Sequence, residues 1–179
     1  PAEYASKWLP IANAFYGPEK MRVALVLKTL DTTQNRLPQD LRKLPFDHPR
    51  VIKRLNALLT WMFTQIPDLR LTSLSLGNEV DGVLGKDTKR WGAYTRLFNA
   101  AREHVRKVHP DLPLSVTVMY DGIVDPKKAP LAKTLYEQAD IVLLTYDPLG
   151  KSQIRPVAHL REVFRELTTR YSKKPIHFG

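Results

Sequence analysis

The sequence of 179 residues contains no cysteine. A disulfide bond and a thiolate metal site are therefore both excluded, and cysteine usage says nothing about the compartment in which the protein works. No apolar run is long enough to span a bilayer, so neither a membrane helix nor a membrane partner is expected. Acidic residues are fewer than basic ones. The sequence has 18 Asp and Glu and 28 Lys and Arg, which gives a formal net charge of +10.

This positive charge raises the question of a polyanionic partner. The basic residues are scattered over helical faces, as at Arg102, Arg106 and Lys107, and the sequence has no basic-aromatic strand motif of the RNA-binding kind. A solvated outer surface is the better interpretation, so no nucleic-acid partner is expected. Polyanion binding is kept as a lesser hypothesis, and a steep salt dependence would be its signature.

Hydrophobic residues make up 43% of the chain, which is enough for a sizeable core in a single domain. Five short segments that are apolar on both faces predict buried parallel strands, and longer amphipathic segments between them predict helices. The predicted strands are 21–30, 71–80, 114–120, 141–146 and 176–179, with one further helix over 1–15. This alternation indicates an α/β fold with right-handed crossovers.

Two α/β architectures fit this alternation of strands and helices. An open doubly wound sheet normally has a glycine-rich turn after its first strand, but residues 30–34 contain no glycine. We therefore predict a (β/α)8 TIM barrel. A closed barrel typically takes about 250 residues and eight strands, so residues 1–179 are expected to form an incomplete barrel domain of five parallel strands with intervening helices. Long loops after the strands mark their carboxyl ends as the functional face.

One predicted strand, LTSLSLGNEV at 71–80, ends in an acid. The small residues Ser75 and Gly77 leave room along one face of the strand, and Glu79 stands where the strand ends, next to Asn78. A carboxylate at the carboxyl end of a barrel strand is a typical active-site group. The alternative is that Glu79 merely caps the helix that follows.

Other polar residues also follow the ends of predicted strands. The further candidate site residues are Asp31, Tyr120, Asp121 and Asp147. For each of them a role in forming a turn is an equally good interpretation, since Asp before Gly or Pro is a turn signal. Together with Glu79, the three aspartates could instead hold a hard cation. The five histidines are dispersed, however, so no metal and no other cofactor is expected.

Three further expectations concern single residues. The helical register of Trp91 predicts a core position in preference to stacking on a ligand. His177 lies within a predicted strand and is expected to be buried. Asp47 is expected to cap the helix in which Pro49 occupies the first turn.

The Asn78-Glu79 pair on a barrel strand resembles the acid/base motif of clan A, the large clan of retaining glycoside hydrolases with (β/α)8 barrels. In that clan the Asn-Glu pair closes the fourth strand, and a second Glu, the nucleophile, closes the seventh. Counted from Glu79 as the fourth strand, this chain covers about strands three to seven, so the nucleophilic Glu is expected just after Gly179. Three sequence segments resemble bacterial proteins grouped with arabinogalactan endo-galactanases. These segments are LKTLD at 27–31, LGNEVD at 76–81 and LTYDPL at 144–149.

The resemblance implies a retaining glycosidase whose substrate is a β-linked polysaccharide or oligosaccharide. Glu79 would be the general acid/base, and Asn78 would bind a sugar hydroxyl. Asp31, Tyr120, Asp121 and Asp147 could bind sugar hydroxyls as well. Tyr146 would hydrogen-bond the nucleophile, although a core tyrosine at a strand end is an equal alternative. Double displacement needs two carboxyl groups roughly 5–5.5 Å apart, one protonated and one ionised. A secreted or periplasmic location is favoured over a cytoplasmic one. The alternatives are a carbohydrate-binding barrel without turnover and a metal-dependent barrel hydrolase.

Overall fold

The computed structural model describes residues 2–149 and 154–179, so the predicted start of the first helix at Pro1 lies outside the described residues. The helices are α1 Ala2–Tyr16, α2 Pro49–Gln65, α3 Val80–Leu84, α4 Thr88–Arg106, α5 Tyr120–Val124, α6 Ala129–Gln138 and α7 Val157–Arg170. The strands are β1 Arg22–Val26, β2 Leu30–Asp31, β3 Gln34–Asn35, β4 Arg70–Ser75, β5 Leu114–Ser115, β6 Thr117–Met119, β7 Val142–Thr145 and β8 Ile176–Phe178.

Parallel pairing follows the order of the chain. β1 pairs with β4 and β4 with β5, while β6 pairs with β7 and β7 with β8. β5 and β6 are two halves of one strand interrupted at Val116, so the described residues contain the five parallel strands that the sequence predicted. A doubly wound sheet reverses its strand order at a switch point, and no such reversal occurs among these strands.

The main core lies between one face of the strands and the helices. The strands contribute fully buried side chains to this core, among them Leu74, Leu114, Val118, Val142 and Leu144. Facing them, α2 and α4 each present one stripe of buried residues at helical spacing. Trp91 is 2% exposed within the stripe of α4, which confirms its predicted core position.

The predicted cap of α2 is wrong by one residue. Pro49 occupies the first helical position, so the capping position belongs to the residue immediately before it, His48. The Nδ1 atom of His48 accepts a hydrogen bond from the backbone N–H of Arg50 at 3.1 Å. Asp47 instead accepts a hydrogen bond from the guanidinium of Arg96 at 2.8 Å, which links the start of α2 to α4.

Short elements occupy two regions that the sequence predicted to be loops or turns. α3 and α5 each contain five residues. α5 directly follows β6, and α3 is separated from the end of β4 by residues 76–79. A single helical turn is too short to show a periodic apolar pattern, so nothing in the sequence distinguished it from a loop. The predicted loop after β1 likewise contains the small antiparallel pair β2 and β3.

The two outermost strands are more exposed than the sequence suggested. Among the described strands, β1 pairs only with β4 and β8 only with β7. His177 of β8 is exposed, so its predicted burial is wrong, because no described strand or helix covers that side of the edge strand. Val26 and Phe178 are 43% and 36% exposed at the two edges. None of the helices in residues 2–149 and 154–179 has both the length and the apolar character needed to cross a bilayer.

Candidate functional site

The candidate site is a rim of polar side chains at the carboxyl ends of the parallel strands. The register places Val26 beside Ser75, and Met119 beside Thr145, so the loops that follow these strands meet at one edge of the sheet. Below the rim the sheet carries small polar side chains. The Ser75 hydroxyl donates to the Gly77 carbonyl at 2.7 Å and lies 3.1 Å from the Thr117 hydroxyl.

Glu79 lies at the centre of this rim. Its backbone is left-handed, with φ 49° and ψ 48°, and it occupies the N-cap position of α3 without a side-chain capping bond. The carboxylate points away from the helix. Its Oε2 atom accepts a hydrogen bond from the Thr32 hydroxyl at 2.7 Å, and its Oε1 atom accepts one from the Thr145 hydroxyl at 2.8 Å. Glu79 therefore occupies the helix-cap position that the alternative predicted, but its side chain does not cap the helix.

Asn78 is oriented by Asp31. The Asn78 amide nitrogen donates to the Asp31 carboxylate at 3.1 Å, and Lys28 and Arg36 lie 3.2 and 3.1 Å from the same carboxylate. Burial opposes ionisation of Asp31, but the hydrogen bond from Asn78 and the two cations together hold its pKa below the ordinary value. Asp31 is therefore ionised at neutral pH. Because Asp31 holds the amide nitrogen of Asn78, the carbonyl oxygen of the same side chain is directed away from Asp31.

The backbones of these two residues are joined as well. The Asn78 N–H donates to the Leu30 carbonyl at 2.9 Å, and the Thr32 N–H donates to the Asn78 carbonyl at 3.0 Å. This short ladder connects the end of β2 to the segment between β4 and α3. Asp31, Thr32, Asn78 and Glu79 are consequently held as one unit.

Asp121 and Asp147 lie further out on the rim. The side chain of Asp121 is 64% exposed and pairs with Arg155 at 2.6 Å. The Asp147 carboxylate accepts a hydrogen bond from the backbone N–H of Leu149 at 2.8 Å, which is the turn-forming arrangement considered as the alternative from sequence. Neither contact involves Glu79, and the predicted sugar-binding roles of Asp31, Asp121 and Asp147 stay predictions.

Tyr120 and Tyr146 form a cluster with α7. The Tyr146 hydroxyl lies 2.8 Å from Nδ1 of His159, and the Tyr120 hydroxyl donates to Glu166 at 3.3 Å. The two tyrosine rings are 5.6 Å apart, and the guanidinium of Arg155 lies over both. Burial, followed by the negative charge of Glu166, raises the pKa of Tyr120. Both hydroxyls are thus directed at α7, and the predicted roles of these tyrosines with substrate or nucleophile stay predictions.

Sequence reasoning missed Thr32 and Thr145, the two residues that contact the Glu79 carboxylate. A signal for Thr145 existed in the alternation of a strand, since neighbours in a strand point to opposite faces. Tyr146 points toward α7, so Thr145 before it points to the opposite face and reaches Glu79. Thr32 carried no comparable signal, because it lies in an irregular segment after the strand.

A third missed residue, Asp81, holds the helix for which Glu79 is the N-cap. Its side chain is fully buried, accepts the Met119 backbone N–H at 2.9 Å and pairs with Lys128 Nζ at 3.1 Å. Burial dominates over these two contacts and raises the pKa of Asp81. These bonds connect α3 to the end of β6 and to the segment before α6, so they fix the position from which Glu79 projects.

The acidic and histidine side chains of the described residues lie apart from one another. Within 2–149 and 154–179 no three His, Asp or Glu side chains come together in an arrangement that could hold a metal ion. The carboxylates expected at the rim are separated into different ion pairs and turns.

Comparison with known proteins relates the fold to glycoside hydrolases. The chain superimposes on the GH53 catalytic domain of Ignisphaera aggregans with a TM-score of 0.66 and 18% identity, over 96% of this chain and 48% of that one. It also superimposes on an agarase, AgWH50C, with a TM-score of 0.56 and 14% identity, over 98% of this chain and 35% of that one. No family model and no curated protein matches the sequence.

These neighbours confirm the expected fold at a coarse level. The chain is a mixed α/β unit with parallel strands, and it corresponds to about half and about a third of two TIM-barrel glycoside hydrolase chains. Identities of 14% and 18% carry the fold alone, so the predicted relation to endo-galactanases stays a prediction.

Proposed function

We propose that this chain is part of the (β/α)8 catalytic barrel of a retaining glycoside hydrolase, with Glu79 as the general acid/base. The observation that carries the proposal is the position of the Glu79 carboxylate at the carboxyl rim of the strands, held by hydroxyl groups from two separate elements. Parallel strands in chain order, and a backbone that superimposes on two glycoside hydrolases, support the same proposal.

The proposed reaction is a double displacement on a β-linked polysaccharide or oligosaccharide. Glu79 gives its proton to the glycosidic oxygen while the bond from that oxygen to the anomeric carbon breaks. A second carboxylate bonds to the anomeric carbon and forms a glycosyl ester. Glu79, now ionised, takes a proton from water, whose oxygen displaces the ester and releases the sugar. Asn78, whose amide nitrogen is held by Asp31, presents its carbonyl oxygen to a sugar hydroxyl.

The second carboxylate is expected to follow Gly179. β8 runs parallel to β7, and the Gly179 N–H donates to the Leu144 carbonyl at 2.9 Å. The end of β8 is therefore directed to the rim where Glu79 lies. Tyr146 bonds His159 on the face of the strand opposite to Thr145, so its bond to this carboxylate stays a prediction.

The test compares Glu79→Gln with wild type in the intact protein. We expect hydrolysis of β-linked galactan and agarose oligosaccharides, whose leaving groups need protonation, to fall by about 100-fold or more. Cleavage of the corresponding dinitrophenyl glycosides, which need no protonation, should keep most of its kcat/KM. Glu103→Gln is the matched control, because Glu103 is an exposed carboxylate on α4.

Two outcomes would contradict the proposal. Equal activity of wild type and Glu79→Gln on both substrate classes would remove Glu79 from the reaction. Binding of the oligosaccharides by wild type without any hydrolysis would support the alternative of a carbohydrate-binding barrel.

A further inference from the structure

Glu79 receives two hydrogen bonds from hydroxyl groups that lie far apart in the chain. Thr32 follows β2 and is 47 residues from Glu79, whereas Thr145 ends β7 and is 66 residues away. Each hydroxyl bonds a different carboxylate oxygen. We propose that these two residues, called the threonine pair below, are positioning residues that orient Glu79 and stabilise the negative charge it gains when it protonates a leaving group. This inference rests on the proposed function.

The backbone of Thr32 is held in place independently of its side chain. Its φ is 56°, in the left-handed region, and its N–H donates to the Asn78 carbonyl at 3.0 Å. Helix α3 packs closely against the backbone of Thr32. A Cβ atom at Gly82 of this helix would lie 1.9 Å from the Thr32 carbonyl oxygen. Glycine at this position therefore permits the contact that brings the Thr32 hydroxyl to Glu79.

The position of Thr145 is set by the sheet. Thr145 pairs in register with Met119 on the neighbouring strand, and the next residue, Tyr146, is fixed on the opposite face by His159. The hydroxyl of Thr145 is therefore presented to Glu79 by a strand, which is a more rigid support than a loop. The two hydroxyls come from separate parts of the fold, since Thr32 lies in the turn between β2 and β3 and Thr145 ends β7, which pairs with β6 and β8.

Some threonine hydroxyls on helices have only local partners, whereas Thr29 and Thr117 bond residues of other elements. Thr95, Thr134 and Thr169 each donate to the carbonyl four residues earlier in their own helix. Such bonds satisfy the hydroxyl without reaching another element. The threonine pair differs because both hydroxyls reach across the fold to the same carboxylate.

The chemistry of the pair follows from what each group can donate. An ionised carboxylate only accepts hydrogen bonds, so both hydroxyls donate to it, whereas a protonated carboxyl group presents one O–H of its own. As the proton passes from Glu79 to the glycosidic oxygen, the carboxylate left behind gains both donors at distances of 2.7 and 2.8 Å. Donors placed in advance where charge develops favour the transition state more than the bound substrate.

The experiment replaces each threonine in the intact protein by Val, which keeps the shape and removes the hydroxyl. For Thr32→Val and Thr145→Val we expect kcat/KM on β-linked galactan or agarose oligosaccharides to fall roughly 10- to 100-fold, the range for losing a charge-assisted hydrogen bond. The kcat/KM for the dinitrophenyl glycosides should be unchanged, which also shows that the variants are folded. KM should change less than kcat.

Controls separate the hydroxyl from the shape of the side chain. Thr32→Ser and Thr145→Ser keep the hydroxyl and should keep most of the activity on oligosaccharides. Thr33→Val changes an exposed neighbour of Thr32 and should have no effect. If a Val variant fails to fold, Ala at the same position supplies the hydroxyl-free variant.

The outcomes distinguish this inference from the proposed function. If wild type hydrolyses the oligosaccharides and Glu79→Gln loses that activity selectively, but both Val variants match wild type, the threonine pair has no positioning role and the proposed function stands. Equal losses by the Val variants on both substrate classes also overturn the inference. If wild type hydrolyses none of the substrates, the proposed function fails and the inference fails with it.

Discussion

At the scale of single residues, the site depends on an unusual backbone before the acid. Gly77 has φ 145°, and Glu79 two residues later is left-handed at φ 49°. The Gly77 carbonyl accepts bonds from the Ser75 hydroxyl and from the Thr117 N–H. Since the chain must turn sharply between the end of β4 and the start of α3, the glycine sets the direction in which Asn78 and Glu79 leave the strand.

We predict that Gly77→Ala both destabilises the protein and lowers its activity. The added Cβ would lie 2.5 Å from Val80 Cγ1 and 2.6 Å from the Tyr94 hydroxyl, at a φ that alanine rarely adopts. The free energy of unfolding, measured by urea denaturation, should fall by about 1–3 kcal/mol.

Gly92→Ala is the matched control for this prediction. Gly92 lies inside α4, where a Cβ would come no closer than 3.4 Å, to the mobile end of Arg96. This substitution should stabilise the protein by about 0.5–1 kcal/mol, because alanine has the higher helix propensity. Equal effects of the two substitutions would contradict the proposed constraint at Gly77.

At the scale of elements, two aspartates, one buried and one half-buried, join helices to strands. Their pKa values are shifted in opposite directions. Asp140 accepts the Leu114 N–H at 2.8 Å and pairs with Arg102 and Arg106 at 2.9 and 2.7 Å, so it ties α4 to β5. Burial alone would raise the pKa of Asp140, but the amide and the two guanidinium groups hold it below the ordinary value. Asp81, with one amide and one ammonium partner in a fully buried position, has a raised pKa.

We predict opposite dependences on pH for the two aspartates. A lowered pKa in the folded state means that the stabilisation from Asp140 is present above pH 3.8 and is lost as the pH falls through the folded-state value. The raised pKa of Asp81 means that its contribution is present below pH 3.8 and is lost as the pH rises through the folded-state value.

The measurement is the free energy of unfolding of wild type, Asp140→Asn and Asp81→Asn as a function of pH. The difference between wild type and Asp140→Asn should grow with rising pH, to about 1–3 kcal/mol at neutral pH. The difference between wild type and Asp81→Asn should shrink over the range just above pH 3.8. If the two differences from wild type changed with pH in the same direction, the opposite pKa shifts of Asp140 and Asp81 would be contradicted.

At the scale of the whole molecule, the described strands leave both sides of the sheet open. β1 and β8 each pair on one side only, with Val26 and Phe178 exposed beside them. Phe178 packs against Phe164 of α7, whose side chain is itself 44% exposed. An unpaired strand with exposed apolar side chains is a template for pairing with another strand.

We predict that the 179-residue chain, produced by itself, associates with further copies as its concentration rises. Val26→Lys should weaken this association, because a charge on an edge strand disfavours pairing. Val108→Lys is the control, since Val108 is 56% exposed but follows α4 at a distance from both sheet edges in the strand order. Light scattering across a concentration series is the measurement, and a monomer at all concentrations would contradict the prediction.

Several features of this protein follow from local sequence. The apolar character of both faces predicted five parallel strands, because a strand covered on both sides needs no polar alternation. The change from a strand pattern to Gly-Asn-Glu placed Glu79 near a strand end, although β4 ends at Ser75 and the predicted strand 71–80 was too long. Such features depend on residues within about ten positions of one another, so they can be predicted from the sequence alone.

Other features were decided only by the tertiary structure. The partners of the Glu79 carboxylate lie 47 and 66 residues away, and no local pattern specifies which hydroxyls will arrive beside it. Tyr146 turns toward His159 because Thr145 occupies the opposite face of the strand. His177 is exposed because its strand lies at the edge of the described sheet. Contacts of this kind depend on how elements pack, and packing is a property of the assembled fold.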